Sequence, residues 1–476
     1  MLRNLLILLL SGCGLSAQNF VPSREVAPIV PREFRAAWVA CVYNIDWPSK
    51  KGLSVKRQQT EMVAFLNRMS SMKMNAVIFQ VRPNADAAYQ SSYEPWSHWI
   101  SGRQGKSPGY DPLAYCIQQA HARGIEVHAW FNPFRALPNK GISTASNHVV
   151  RTHPSVIRNF KTYQWMDPSS SFTQRRALSV IMDVVKRYDV DGVHIDDYFY
   201  PYPDFDKQGV AKQIFPDGKS EAARRAVTDA FVKTMYKSVK KAKPWVRVGI
   251  SPFGIWRPGV PAGTTARIDS YHHLSADSRK WLQQGWCDYL SPQLYWRIEG
   301  PQSFTKLLQW WRGQGSRPVW PGISTARVNS SEDPGRPASE IVNQVSLTRR
   351  VGANYVGHVF WSMKSLMENR GGVSDALVKN FYQEPSLVPP MVWLSKKLPA
   401  TPTLVARASS GQTSLSWSAV PGCQKYAVQT RVGGTWKMTA VAVGTKLNLQ
   451  GVPDAVAVSA VDRYGNTSRP RVVAKQ

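Results

Sequence analysis

One repeated pattern runs through most of this chain and restricts the fold that it can adopt. From Phe34 to Trp361, a short β-branched or aromatic run is followed by a polar loop and then by a helical stretch, eight times in succession. The eight apolar runs are Phe34–Cys41, Ala76–Arg82, Glu126–Asn132, Gly192–Asp196, Val246–Ser251, Tyr289–Tyr295, Val319–Ser324 and Tyr355–Trp361. Eight strands that each precede a helix predict an α/β fold, a (β/α)8 TIM barrel, over residues 31–384.

The stretches between the runs have the spacing and the ends of helices. Val55–Met72 places its apolar residues three and four positions apart. Ser220–Lys241 begins with a capping serine and ends with lysines, which favour the negative end of a helix dipole. Both are therefore predicted to be helices that cover the barrel.

The composition changes after the barrel. Prolines cluster in residues 385–402, which we predict to be a linker. Residues 403–476 lose the helical period and alternate apolar with polar side chains, as in Leu415–Ser418 and Val456–Val461. This alternation predicts a C-terminal all-β, immunoglobulin-like sandwich. The lone Trp417 and the run Val458–Asn466 resemble those of a fibronectin type III domain.

Residues 1–17 have the features of a bacterial export signal. A basic start, Met1–Asn4, precedes the apolar run Leu5–Leu10, and small residues follow up to Ala17. Leu10–Cys13 resembles a lipoprotein box, which would place an acyl group on Cys13; the alternative is cleavage after Ala17. We therefore expect a cell-envelope protein: an outer-membrane lipoprotein that faces the periplasm or, without the lipid, a periplasmic or secreted protein.

The charge and the cysteines restrict the partners. The chain carries 60 Lys and Arg against 31 Asp and Glu, a net charge of +29 that attracts polyanions. Because the chain is predicted to be exported, we expect a polysaccharide partner and no nucleic acid, with membrane contact only through a lipid anchor. The chain has no glycine-rich phosphate loop and no Cys/His cluster with metal-ligand spacing, so we predict no cofactor and no metal.

The fourth predicted strand ends in an acidic pair. Alternation along this strand puts His194 and Asp196 on the inner face, with Asp196 at the rim and Asp197 at the start of the loop. Four aromatic residues are expected nearby: Trp130, Tyr198, Tyr200 and Trp296. A rim carboxylate among aromatic faces is suited to glycoside hydrolysis, since sugar rings stack on such faces. The alternative is that one aspartate caps the loop and the other binds a structural ion.

A hydrolase also needs a proton donor. Asp197 is the first candidate, because adjacent carboxylates repel and one of them tends to hold its proton. Asp86 and Glu94, after the second strand, are alternatives, and Glu299 is the weakest. The pair also suggests a substrate-assisted route, in which the substrate's 2-acetamido group is the nucleophile.

Ten residues near the strand ends are predicted to bind substrate. They are Arg82, His128, Trp130, Asn132, Arg135, His194, Tyr198, Gln293, Tyr295 and Trp296. The rim arginines, including Arg257, Arg297 and Arg327, either bind the carboxylate of an anionic sugar or neutralise the aspartates and brace loops. The two histidines are better explained as hydrogen-bonded barrel residues than as metal ligands.

Seven segments resemble the glycosyl-hydrolase-like family ten. They are Phe34–Val39, Gln80–Pro83, Asp111–Leu113, Glu126–Pro133, Asp191–Pro201, Ile250–Gly254 and Pro292–Trp296. This family includes a hydrolase of peptidoglycan glycan strands stripped of their peptides. The resemblance implies a hydrolase of a cell-envelope amino-sugar glycan. The alternative is a carbohydrate-binding or wall-anchoring protein whose barrel does not catalyse.

Overall fold

The computed structural model describes residues 18–212, 214–352 and 355–476, which form two compact units. The first unit is the barrel, residues 31–396. The second combines the described residues before Pro31 with Lys397–Gln476. The predicted export signal, with Cys13, lies outside the described residues.

Eight parallel strands form the barrel. Strand β1 (Gln18–Pro22) belongs to the second unit. The eight barrel strands are β2 (Phe34–Val39), β3 (Ala76–Arg82), β4 (Glu126–Phe131), β8 (Gly192–Ile195), β9 (Arg247–Ile250), β10 (Tyr289–Leu290), β11 (Gly322–Ser324) and β12 (Gly357–Trp361). Between β4 and β8, a separate antiparallel sheet is formed by β5 (Arg135–Leu137), β6 (Ile157–Phe160) and β7 (Tyr163–Met166). The sheet order is β10-β9-β8-β4-β3-β2-β12-β11, and the parallel bridges Leu290 to Val319 and Gln293 to Gly322 join its two ends. The predicted TIM barrel is confirmed.

Helices surround the barrel. They are α1 (Val55–Ser71), α2 (His98–Ser101), α3 (Pro112–His121), α4 (Val149–Thr152), α5 (Ser171–Arg187), α6 (Glu221–Ala242), α7 (Ser270–His273), α8 (Ser278–Gln283), α9 (Phe304–Arg312), α10 (Ala338–Val351), α11 (Met363–Met367) and α12 (Val373–Asn380). The Ser220 side chain accepts a hydrogen bond from the Ala223 N–H and so caps α6. Both helices predicted from the sequence are confirmed to within one residue at each end.

The barrel interior is filled by layers of side chains. In the lowest layer, the rings of Phe34 and Trp320 stack with their centres 4.0 Å apart. Tyr289 fills the middle layer, where a Cβ atom on Gly249 would lie 2.0 Å from the tyrosine ring, so only glycine fits at this position. These side chains fill the interior toward the base of the barrel, and the rim formed by the carboxyl ends of the strands is the side from which a ligand can enter.

Part of the predicted linker belongs to the barrel. Leu387 and Met391 are buried, and the Glu33 N–H donates to the Leu387 carbonyl oxygen. Trp393 donates from its indole nitrogen to Asp288 at 3.0 Å. The barrel unit therefore extends to Lys396 instead of ending at residue 384, because these contacts satisfy backbone groups and bury apolar side chains.

The second unit is an all-β sandwich, as predicted. Its further strands are β13 (Leu404–Ser409), β14 (Gln412–Trp417), β15 (Cys423–Val432), β16 (Thr435–Val443), β17 (Lys446–Gln450), β18 (Ala455–Asp462) and β19 (Arg471–Lys475). The N-terminal strand β1 pairs with β13 through Gln18 and Asn19, and with β19 through Phe20–Pro22. The sandwich therefore includes an N-terminal strand that the predicted range 403–476 left out.

Two further properties concern the described residues as a whole. None of their helices combines the length and the apolar character that crossing a membrane requires. Cys41, Cys116, Cys287 and Cys423 are unpaired thiols, and the first three are buried.

Candidate active site

A cavity of about 490 Å³ lies at the carboxyl ends of the barrel strands. Its aromatic walls come from Trp38, Tyr43, Trp130, Phe253, Tyr295 and Trp361. Asp196 and Asp197 also line it. The structure therefore places the predicted acidic pair in an aromatic cavity of the size that small ligands occupy.

Asp196 is held by a relay of buried amides. The Asn132 amide nitrogen donates to Asp196 Oδ2 at 2.5 Å, and the Gln80 amide donates to Asn132 Oδ1 at 2.7 Å. Gln80 is fixed in turn, because its Oε1 accepts from the backbone N–H groups of Cys41 and Val42. Asn132 does not line the cavity; it positions the carboxylate from behind, whereas the sequence prediction was a contact with substrate.

Asp197 has different partners. The Tyr202 hydroxyl donates to Asp197 Oδ2, and the Gln293 side chain also hydrogen-bonds to the carboxylate. Burial, together with the nearby Asp197 charge, raises the pKa of the Tyr202 phenol well above its ordinary value, so Tyr202 keeps its proton and acts as a donor. The two aspartates therefore have separate hydrogen-bond environments although they are adjacent in sequence.

Burial changes the acidity of both carboxyl groups. Burial and then the charge of Asp197 raise the pKa of Asp196 to about 7, against the opposing effect of Arg135. Burial also raises the pKa of Asp197, opposed by the hydrogen bonds from Tyr202 and Gln293. Burial therefore favours one proton on the pair near neutral pH, and we assign it to Asp196 because Asp197 already accepts a hydroxyl hydrogen bond from Tyr202. From the sequence, Asp197 was the first candidate for the donor.

The two barrel histidines lie beneath the cavity and belong to a structural network. The Trp38 indole, which can only donate, contacts His194 Nε2 at 3.2 Å, and burial holds the pKa of His194 well below its ordinary value. The neutral ring therefore donates from Nδ1 to the Tyr289 hydroxyl oxygen at 3.0 Å, and Tyr289 donates to His128 Nδ1 at 2.8 Å. Neither ring lines the cavity, so the structure places both histidines in the barrel interior and not among the residues that a ligand there would touch.

Two of the alternative proton donors are engaged elsewhere. Glu94 forms a fully buried double hydrogen bond with Arg82, at 2.7 and 2.6 Å. Asp86 is buried and accepts from Gln104 at 3.2 Å. None of Glu94, Arg82 and Asp86 lines the cavity, so the structure gives them bracing roles instead of the predicted catalytic or binding ones.

Two of the predicted aromatic neighbours also lie outside the cavity. Trp296 packs edge-on against Phe253, with ring centres 5.6 Å apart. Tyr200 is buried beside Phe215. The predicted residues Trp130, Arg135, Tyr198, Gln293 and Tyr295 do line the cavity.

Several cavity residues were not predicted from the sequence, among them the aromatic residues Trp38, Tyr43, Tyr202 and Trp361. Trp38 and Trp361 belong to strands that were predicted correctly, so counting alternate positions along β2 and β12 would have placed them on the inner face. Tyr202 lies in an irregular loop, which has no such period.

The comparisons with known proteins agree with this geometry. The family described as glycosyl hydrolase-like 10 matches residues 33–331. This chain belongs to that family. It is therefore a glycoside hydrolase, an enzyme that hydrolyses O-glycosyl bonds.

Two relatives each align with more than half of this chain. The chain is 41% identical to glycosyl hydrolase YngK of Bacillus subtilis over 396 residues, which are 78% of this chain and 76% of the relative. It is 33% identical to glycosyl hydrolase DigH of Escherichia coli K12 over 302 residues, which are 58% of this chain and 69% of the relative. Among solved structures, the glycoside hydrolase domain of PgaB from Bordetella bronchiseptica aligns with a TM-score of 0.48 and 14% identity, over 74% of this chain and 98% of that one.

Proposed function

We propose that this enzyme hydrolyses the glycosidic bonds of a cell-envelope amino-sugar glycan, with peptidoglycan glycan strands as its substrate. The observation that carries the proposal is the buried pair Asp196 and Asp197, which opens onto an aromatic cavity and holds a proton near neutral pH. The family resemblance implies a wall glycan, and a net charge of +29 suits an anionic wall polymer.

The pair fits a substrate-assisted reaction. Asp196 gives its proton to the leaving oxygen while the acetamido oxygen of the substrate attacks the anomeric carbon and the glycosidic bond breaks. Asp197, which already accepts hydrogen bonds from Tyr202 and Gln293, accepts a further one from the acetamido N–H. Water then attacks the anomeric carbon and gives a proton to Asp196. The bond between the acetamido oxygen and the anomeric carbon breaks, and the acetamido group is regenerated.

Turnover on a defined glycan tests the proposal. Purified mature protein is incubated with peptide-free glycan strands, and the soluble products are identified by mass spectrometry. We expect new reducing ends, with Asp196→Asn and Asp197→Asn lowering kcat by about two to four orders of magnitude. Asp86→Asn is the control and should keep its turnover, since Asp86 does not reach the cavity. Binding without new reducing ends would contradict the proposal and support a carbohydrate-binding protein.

Leaving-group dependence separates the two aspartates. A glycoside with a phenol leaving group of low pKa needs no proton donor. Asp196→Asn should therefore regain most of its rate on such a substrate, while Asp197→Asn stays slow because it still lacks the group that orients the acetamide. The reverse result would exchange the two roles and return the donor to Asp197, as the sequence argument had it.

We also propose that the enzyme is exported and tethered to the outer membrane, facing the periplasm, through an acyl group on Cys13. The support is the order of a basic start, an apolar run and Leu10–Cys13 in the sequence. A single lipid anchor would hold the enzyme near the wall that we propose as its substrate.

A further inference from the structure

The guanidinium of Arg135 lies in the wall of the catalytic cavity without a polar partner. Its side chain stacks on Tyr198, with the guanidinium carbon 3.9 Å from the ring centre, and Arg135 is only 7% exposed. Within the described part of the chain, no oxygen accepts a hydrogen bond from its side-chain nitrogens and no carboxylate forms an ion pair with it. The N–H groups on the cavity side are therefore available to a ligand.

The other rim arginines differ from Arg135. Each is paired with an acidic residue: Arg82 with Glu94, Arg257 with Asp269, Arg297 with Asp333, and Arg327 with Glu332. These four neutralise acids and brace loops, which is one of the two roles that the sequence left open. The structure leaves the other role, binding an anionic sugar, to Arg135.

The cost of burial indicates what the missing partner is. A charged group taken out of water is costly unless it is both hydrogen-bonded and paired with an opposite charge. Asp196 and Asp197 interact with the Arg135 charge through space, but neither forms a hydrogen bond or an ion pair with it. A sugar hydroxyl or an acetamide oxygen would supply a hydrogen bond but no paired charge. A carboxylate supplies both, since its two oxygens match the fork of a guanidinium.

We propose that Arg135 binds a carboxylate of the substrate, so that the enzyme selects a glycan whose repeating unit contains an acidic sugar. This inference rests on the proposed function and adds a substrate feature to it. Arg135 stacks on Tyr198, which follows the acidic pair directly in the sequence. The carboxylate therefore belongs to a sugar at or beside the bond that is cleaved.

A purely electrostatic role for Arg135 predicts different behaviour. Its charge lowers the pKa of both Asp196 and Asp197. If this were its only role, removing the charge would shift the pH profile equally for acidic and neutral glycans. Substrate recognition instead predicts a change in the preference between the two glycans at a fixed pH.

Carboxyl reduction supplies the matched substrates. Peptide-free peptidoglycan strands are compared with the same strands after their carboxylates have been reduced to alcohols. We expect wild-type kcat/KM to be about 10- to 100-fold higher on the native strands, as for a charge-assisted hydrogen bond, mainly through KM. Arg135→Met should reduce this ratio to about 1, and Arg135→Lys should keep part of it, since lysine retains the charge without the fork.

The wild-type ratio needs no variant, so a misfolded Arg135→Met does not weaken the test. Equal kcat/KM on both strands, or a preference that persists in a folded Arg135→Met, would overturn the inference. If the wild type cleaves neither strand, the inference about Arg135 is tested by measuring equilibrium binding of the two strands, apart from the proposed function. A carboxylate preference that is lost in Arg135→Met would then retain the inference while the proposed function fails; equal binding, or none, would overturn it.

Discussion

Replacing Asp196 with asparagine should stabilise the barrel at alkaline pH while it removes most of the turnover. Asp196 is only 6% exposed, and its pKa is raised from 3.8 to about 7 by burial and by Asp197. A raised folded-state pKa means that the protonated form stabilises the fold. This stabilisation is complete below the unfolded value and is lost as the pH rises through about 7. At pH 8 the wild type therefore keeps a buried charge that asparagine lacks.

The structure sets the magnitude. Raising the pKa of Asp196 from 3.8 to about 7 corresponds to about 4 kcal/mol of unfolding free energy. Asparagine has one oxygen and cannot accept from both the Asn132 amide and the Tyr198 N–H, as Asp196 does, and the lost bond costs about 1 kcal/mol. We expect a net gain of about 3 kcal/mol at pH 8. The gain should shrink by about 1.4 kcal/mol for each pH unit below 7 and become a small loss near pH 4.

Urea unfolding of the full chain, followed by tryptophan fluorescence at pH 4, 6 and 8, measures this difference. Turnover is measured on the same preparations, with Asp86→Asn as a variant in which a buried aspartate outside the cavity is changed. We expect the difference in unfolding free energy between Asp196→Asn and the wild type to grow from pH 4 to pH 8. If this difference stayed constant, Asp196 would not be the protonated member of the pair. If the variant unfolded at every pH, the pair would be structural.

Three further predictions concern other parts of the chain. Cys13→Ala should move the protein from the membrane fraction to the soluble fraction; unchanged fractionation would remove the lipoprotein hypothesis. Arg82→Met should destabilise the barrel by about 3 to 5 kcal/mol in urea unfolding, because it leaves Glu94 buried without its partner; a stable variant with a raised KM would restore Arg82 as a substrate contact. Residues 31–396 should fold alone and cleave short soluble glycans. A barrel that ends at residue 385 should be less stable in thermal unfolding, because it lacks the buried Leu387; equal stability of the two truncations would contradict the boundary at Lys396.

The barrel was predictable because its signals are local. Each strand is an apolar run followed by a polar loop, and each helix has its own spacing and cap, as at Ser220. The domain boundaries were less predictable, since they depend on contacts between residues far apart in sequence. Leu387 packs with the barrel although prolines surround it, and β1 joins strands of the sandwich that lie more than 380 residues away.

The sequence by itself determined the fold class and the place of Asp196 and Asp197, because alternation along a short strand decides which side chain reaches the rim. Tertiary structure decided what the neighbouring polar residues do. Arg82 and Arg135 both follow a predicted strand, yet Arg82 pairs with Glu94 in the protein interior while Arg135 stacks on a tyrosine in the cavity wall. A side chain's partner depends on which distant segments fold against it, and no local period in the sequence records that. The difference between a bracing arginine and one that is free to bind substrate therefore exists only in the folded chain.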